Sequence, residues 1–252
     1  MRKQFFFIFP PCSPWLIEFS KMNNTRLFTG TPVRIDDEGQ FSAIWKNPLS
    51  GPVHISREGL AGDVQADRRV HGGPEKAVHH YAGENYAKLA AAFPQIADTL
   101  IVGSIGENIS TFGLDETKVC IGDIFRLGSV LLQVSQPRRP CWKIDSRYGA
   151  KGITAHIVET GLTGWYYRVL EEGEAAPGQA FVHVERPPGA VLLDTLWTTW
   201  HRHRPDAGKL AAIAEAPGLT PAWVRKIRDR LDWLAANTSA DTSAGTNAAD
   251  RS

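Results

Sequence analysis

The sequence predicts a mainly β chain with added helices, an α+β protein in which a β-barrel-like unit precedes a small three-helix appendage. Three observations predict it. From about residue 25 to 186 the apolar segments are short and punctuated by glycine, which suits β structure. Beyond "ERPPG" at 185–189 the runs lengthen to helical size. The few helical patterns inserted between the strands suit a mixed barrel better than a doubly wound sheet.

The elements follow in chain order. "MRKQFFFIFPPCSPWLIEFSK" starts basic and turns apolar like a signal peptide, but Pro10 and Pro11 interrupt the run and no small-residue cleavage site follows. Residues 1–22 therefore read as an extension, either disordered or the product of a misplaced start, with Met22 opening the folded part. A β domain is expected over 23–186. "FSAIWK" at 41–46 and "KAVHHYA" at 76–82 read as strands. In "ENYAKLAAAF" the residues Tyr86, Leu89, Ala90 and Phe93 share one helical face, and Pro94 stops the run. "VCIGDIFRLGSVLLQVS" reads as strands Val119–Phe125 and Val130–Val134 joined by a turn at Leu127-Gly-Ser129. "GWYYRVLEEG", bracketed by Gly164 and Gly173, is predicted to be a second helix. Over 187–235 three helix-length runs are divided by Pro205 and by Pro217-Gly218. Thr220 and Pro221 supply an N-cap and first-turn pair for the third. Leu192, Leu196, Thr199 and Trp200 share a face, as do Val224, Ile227 and Leu231. Residues 236–252 have almost no large apolar residue and are expected to be disordered.

The chain has 252 residues, 42% of them hydrophobic, enough to bury a substantial core. Lys plus Arg is 28 against 27 for Asp plus Glu, so no global field draws it to nucleic acid or to a membrane. Anion binding must come from local clusters. Cys12, Cys120 and Cys141 are the only cysteines and none stands in C-x-x-C spacing, which argues against a disulfide framework and a cysteine zinc site. A reducing, cytoplasmic setting is the simplest reading.

Chemistry concentrates in a few stretches. "SQPRRPC" at 135–141 sets one thiol after two cations in a loop stiffened by Pro137 and Pro140. Cations favour the thiolate, which is the nucleophile and the soft metal ligand. The competing reading is a small buried cysteine beside solvated arginines. In "GLAGDVQADRRVHGGPEKAVHHY" at 59–81 the turn Gly72-Gly73-Pro74 exposes backbone N–H groups, and His71 can donate to a ligand or move a proton. Asp63, Asp67, His71, His79 and His80 can instead be read as metal ligands, but their spacing fits no familiar zinc helix or calcium loop. On a strand His79 and His80 face opposite sides, so at most one joins any one site. "SIGENIS" supplies Glu107 and Asn108 at a bend, and Lys46 ends a predicted strand; both signals are weak alone. There is no phosphate loop, dinucleotide fingerprint or nucleophile elbow, which disfavours kinases, dehydrogenases of the dinucleotide-fold type and α/β-hydrolases.

Taken in order, "FSAIWK", "GLAGDVQADRRVHGGPEKAVHHY", "GENIS", "GDIFRLGSVLLQVSQPRRPC" and "TGWYYRVLEEG" resemble the MOSC domain family, and within it the stand-alone YiiM-type proteins with a C-terminal three-helix domain. The resemblance runs from Thr25 to Leu234. It implies a β-barrel-like domain holding the molybdenum cofactor, with Cys141 as metal ligand and catalytic residue. It implies that Arg138, and less directly Arg139, compensate cofactor charge. His71 and the Gly72-Gly73 turn border the metal face, Asp63 and Gln65 brace that loop, and Lys46, Glu107 and Asn108 contact the cofactor or its surroundings. Relatives vary at Arg139, and one carries cysteine where His79 stands, which leaves His79 as a packing position or one that supports the contacting residues, outside the assigned site. The implied activity is two-electron reduction of N-hydroxylated compounds such as 6-hydroxylaminopurine, with His71 as proton source. No clustered-cysteine pattern for an iron–sulfur centre occurs, so electrons would come from a separate flavin or iron–sulfur reductase. The three helices would dock that reductase or a second subunit of a homodimer, or simply cap the barrel. The competing function is a non-catalytic carrier of the cofactor or of sulfur.

Overall fold

The computed structural model describes residues 24–35, 40–65 and 72–246, so the expected 1–22 extension and His71 lie outside the described residues. The first strands are β1 (Arg26–Thr29), β2 (Val33–Arg34), β3 (Phe41–Ser42), β4 (Asn47–Pro48), β5 (Val53–Ser56) and β6 (Gly59–Leu60). β7 (Val78–Ala82), helix α1 (Gly83–Ala92) and β8 (Ile109–Thr111) follow. α1 is the crossover that lets β7 and β8 pair in parallel. Next come β9 (Ile124–Leu127), β10 (Val130–Pro137), helices α2 (Lys143–Tyr148) and α3 (Ile153–Thr160), then β11 (Trp165–Glu171), β12 (Gly173–Ala175) and β13 (Phe181–Glu185).

Eight strands form one sheet in the order β13-β9-β10-β11-β7-β8-β1-β4; β12-β5-β6 and β2-β3 form two smaller sheets. The α+β class is as the sequence predicts, but no barrel closes: β13 and β4 remain the two edges of the large sheet among the described residues. The β9–β10 hairpin turns at Gly128-Ser129, with Leu127 facing Val130 and Gly128 at φ 59°. This is the turn expected there.

Three segments depart from the sequence reading. "GWYYRVLEEG" is not a helix but β11, paired with β10 on one side and β7 on the other. Trp165, Tyr166 and Tyr167 are all buried, so a strand covered on both faces shows no alternation to betray it. "FSAIWK" holds only two residues of strand, because Ser42 Oγ accepts from Ile44 N and Arg147 Nη1 donates to Ile44 O, which bends the chain away. Val119–Asp123 is a turn rather than the start of β9. Asp123 N donates to Cys120 O, while the Asp123 carboxylate takes Cys120 N and two N–H groups of Arg186.

The C-terminal helices are α4 (Leu193–His201), α5 (Ala207–Ala214) and α6 (Pro221–Thr246). Thr220 Oγ1 accepts from Trp223 N, as the predicted cap requires, and donates to Gln136 on β10. α6 continues past Ala236 into the stretch expected to be disordered. Leu196, Ile213 and Ile227 from these helices join Phe125, Leu132 and Tyr167 of the sheet in one apolar core. A second core lies beneath α1, α2 and α3, around Tyr86, Leu89, Ile144 and Ile157.

Candidate functional site

The end of β10 carries the "SQPRRPC" stretch to the wall of an open cleft. Pro137 is still in register with Trp165, and Arg138 N donates to Gly164 O at 3.0 Å, so the chain leaves the sheet under control. The Cys141 carbonyl accepts from Ile144 N and Thr154 Oγ1 at the start of α2 and α3. Its thiol is partly exposed and lines the cleft with Arg138 and Lys143. The simple buried-cysteine reading is thereby replaced. Ser42 at the end of β3, with Ala43, Ile44 and Lys46 after it, forms a second wall, and Asp63 and Gln65 after β6 a third. Lys76, His79, Ile105, Gly106, Asn108 and Tyr166 close the floor. The cleft is open to solvent and, counting its mouth, spans about 620 Å³.

Arg138 is the electrostatic centre. The residue is 5% exposed, and its Nε and Nη1 are enclosed with no hydrogen-bond partner. A buried guanidinium with idle donors is costly unless an acceptor arrives. Burial pushes the Tyr166 phenol up; Arg138, which also hydrogen-bonds it, pulls it down, and Cys141 adds to the rise. Tyr166 thus lies under the influence of both the cation and the thiol.

The loops opposite are pinned by a buried ion pair. Lys46 Nζ sits 2.6 Å from both carboxylate oxygens of Asp63. Gly30 N and Asn108 Nδ2 donate to the same carboxylate at 2.8 Å. Burial lowers the Lys46 pKa, while Asp63 opposes that shift and keeps the ammonium paired. Asn108 Oδ1 in turn accepts from His79 N, tying this network to β7.

His79 is buried on the cleft side of β7. Its Nδ1 stands 3.3 Å from the Gly106 carbonyl, which can only accept, so the ring proton sits on Nδ1. Burial, then the nearby Arg138 charge, holds its pKa well below the ordinary imidazole range, and the ring is neutral. His80 faces the other way. It bonds Tyr167 and Thr111 and stacks on Trp165 with ring centroids 4.4 Å apart.

Of the residues singled out in the sequence, Cys141, Arg138, Lys46, Asp63, Gln65 and Asn108 meet in this one cleft. Glu107 does not line it. Its carboxylate is buried behind the floor, taking Tyr86 Oη at 2.6 Å and Gly103 N at 2.7 Å, and burial raises its pKa. Gly72 and Gly73 also stand outside the lining; they lead into the short turn Pro74–Lys76, whose Lys76 does line it. Arg139 is exposed and outside the lining. Lys76, His79, Lys143 and Tyr166 are the additions. His79 corrects the expectation that it lies outside the site, strand alternation having allowed at most one of the two imidazoles into it, while the helical reading of "GWYYRVLEEG" concealed Tyr166.

The donor set fits an anionic, metal-bearing cofactor. One reachable thiol offers a soft ligand, and Arg138 offers unused donors. Among the described residues, Lys46, Lys76, Arg138 and Lys143 line the cleft against one carboxylate, Asp63, which is already paired. No group of three or more His, Cys, Asp or Glu side chains among the described residues could hold a metal ion. Fold and cleft together define an α+β protein with an open, cation-rich cleft that presents one partly exposed cysteine.

Comparison with known proteins gives the family. Residues 67–182 match the model of the MOSC domain. The chain is 36% identical over 204 residues to Protein YiiM of Escherichia coli (strain K12), covering 81% of this chain and 90% of that one. Among solved structures, the crystal structure of YiiM from Escherichia coli superposes with a TM-score of 0.69 at 30% identity, over 82% of this chain and 91% of that one. A protein named Reductase from Gibberella moniliformis (strain M3125 / FGSC 7600) is 42% identical over 147 residues, 58% of this chain and 26% of that protein. The chain belongs to the MOSC domain family. None of its described helices is long and apolar enough to cross a membrane.

Proposed function

We propose that the protein binds the molybdenum cofactor and reduces N-hydroxylated compounds, R–NHOH plus two electrons and two protons giving R–NH₂ and water. The observation that carries this reading is the convergence of a reachable Cys141 thiol and the idle Arg138 donors in one cation-rich cleft. The family membership and the relative named Reductase support an oxidoreductase role.

When bound, the cofactor supplies the two-electron redox centre. Cys141 Sγ would hold its metal, and the Arg138 N–H groups would bind its anionic oxygens in the fork geometry suited to phosphate or oxo groups. Lys46, neutralised by Asp63, contributes position more than charge, and Asn108 keeps that pair in register with β7. Lys76 and Lys143 face the incoming ligand, and Gln65 supplies an amide to the same wall. His71, with the Gly72-Gly73 turn, is assigned the proton delivered to the departing hydroxyl. Electrons come from a separate flavin or iron–sulfur reductase, and the physiological substrate is taken to be a small N-hydroxylated compound. Cofactor-loaded protein, given chemically reduced viologen, should convert 6-hydroxylaminopurine to adenine. Loaded protein that leaves this substrate unreduced with any donor would instead establish the carrier function.

A further inference from the structure

The second wall of the cleft is built unlike the others. It continues from β3, which pairs with β2 in a two-stranded sheet apart from the large one. Thr31, Val33, Arg34, Gln40 and Phe41 of this ribbon are exposed. A lone two-stranded ribbon is marginally stable in water, so its position depends on what ties it down.

The inner end of the wall is fixed. Ile44 is buried in the second core, its carbonyl takes Arg147 Nη1 at 2.9 Å, and the Arg147 guanidinium lies 5.3 Å from the centroid of Trp45. The outer end is reached by Lys143, whose Nζ donates to Phe41 O at 2.7 Å. Lys143 and Arg147 stand one turn apart on α2 and project along one face of it. α2 itself is firmly placed. Ile144 lies in the second core, the Asp145 carboxylate takes the N–H groups of Gly152 and Thr154, and Tyr148 Oη donates to Ser104 O. The helix is therefore the fixed partner and the ribbon the dependent one.

We infer that Lys143 is a positioning residue: its ammonium straps the β2–β3 ribbon to the helix that follows Cys141, and so sets how widely the cleft opens onto the thiol. Cys141, Ser42, Ala43 and Lys143 all line that cleft, so a displacement of the outer wall changes the approach to Cys141 directly. Lys143 is partly exposed, and its bond crosses between two separate segments of chain. Losing it frees the ribbon to swing about the buried Ile44. The inference goes beyond the proposed reduction and does not depend on it, because the opening is the same whichever ligand enters.

The test is the reaction of Cys141 with two neutral maleimides, N-methylmaleimide and the bulkier N-cyclohexylmaleimide, in full-length cofactor-free wild type, Lys143→Met and Lys143→Arg. Both reagents react with the thiolate, so the ratio of their rates cancels any change in its abundance and reports access alone. Peptide-resolved mass spectrometry follows Cys141 apart from Cys12 and Cys120. Methionine keeps the length of the lysine stem, so truncation does not widen the mouth, and arginine restores a charged donor. Loss of one hydrogen bond from a charged donor favours the open ribbon about tenfold. The bulky-to-small rate ratio should rise about tenfold in Lys143→Met and stay near wild type in Lys143→Arg. An unchanged or lower ratio in Lys143→Met overturns the inference. So does a ratio raised equally in Lys143→Arg, which would mean that the packing of lysine, not its donated N–H, sets the opening. Pterin-free wild-type protein from a cofactor-making host would overturn the proposed reduction and leave this inference standing.

Discussion

Successive side chains leave a strand on opposite faces, and so the adjacent imidazoles of β7 serve different purposes. His79 turns to the cleft and keeps a lone pair free, while His80 fills the core among Trp165, Tyr167 and Phe181. Burial lowers the His80 pKa to about 3 from its ordinary 6.5. A depressed value means that the unfolded chain takes up a proton which the folded protein refuses. Stability present above pH 6.5 is therefore lost as pH falls toward 3. His79, also lowered by burial, acts in the same sense, whereas Glu107 and Glu116, raised by burial, act in the opposite one. Comparison with His80→Phe cancels these shared contributions. Urea unfolding between pH 7 and pH 5 should show wild type losing up to about 1.4 kcal/mol per pH unit more than the variant. Equal slopes would mean that His80 titrates normally. At this scale the local sequence pointed to Cys141 and Arg138, because a thiol and cations set between prolines are conspicuous, whereas Lys46 and Asp63 came only from the family resemblance and their pairing was not foreseen. It did not identify Tyr166, an aromatic residue in an apolar run, which has the same sequence signature whether it lines a cleft or fills a core.

Among the elements, the most instructive is β11. Glycines at 164 and 173 and a length near ten residues suit a helix, yet the segment is a central strand. Gly164 is where the difference is made. It holds φ 67°, and a Cβ there would lie 2.4 Å from the His80 carbonyl oxygen. Only glycine lets β11 enter the sheet so close to β7. Gly149 has a similar φ of 59° at the end of α2 but open space around it. Gly164→Ala should therefore cost at least about 3 kcal/mol, combining left-handed strain with a backbone clash. Gly149→Ala should cost about 1 kcal/mol. Chemical denaturation of both variants checks the contrast, and similar losses would show that the close approach at Gly164 is relieved by a small shift. Hairpins and proline-bounded helices could be read in advance, since their turns carry their own residues. Val119–Asp123 could not, because the Asp123 carboxylate bends that run through Arg186, a residue far along the chain.

Over the whole molecule, the sequence separates strands from the final three helices at "ERPPG", but the apolar core does not divide there. Ile227, fully buried on α6, belongs to the same cluster as Phe125 and Tyr167. Thr220 further joins α6 to β10 just before the Arg138–Cys141 segment. The helices therefore stabilise the sheet as well as one another. Ile227→Ala should cost about 2–5 kcal/mol and lower the entire melting transition as a single step. A separate low-temperature transition confined to helical signal would show instead that the helices unfold alone. The same architecture places one thiol, one buried guanidinium and a paired lysine around a shared opening drawn from six stretches of chain. Whether that opening binds molybdenum through Cys141 is the question on which the account turns. Molybdenum per chain, measured by mass spectrometry in wild type and Cys141→Ser from a cofactor-making host, decides it. The account predicts metal in the wild type and at least a tenfold loss in the variant; equal molybdenum in both would contradict it.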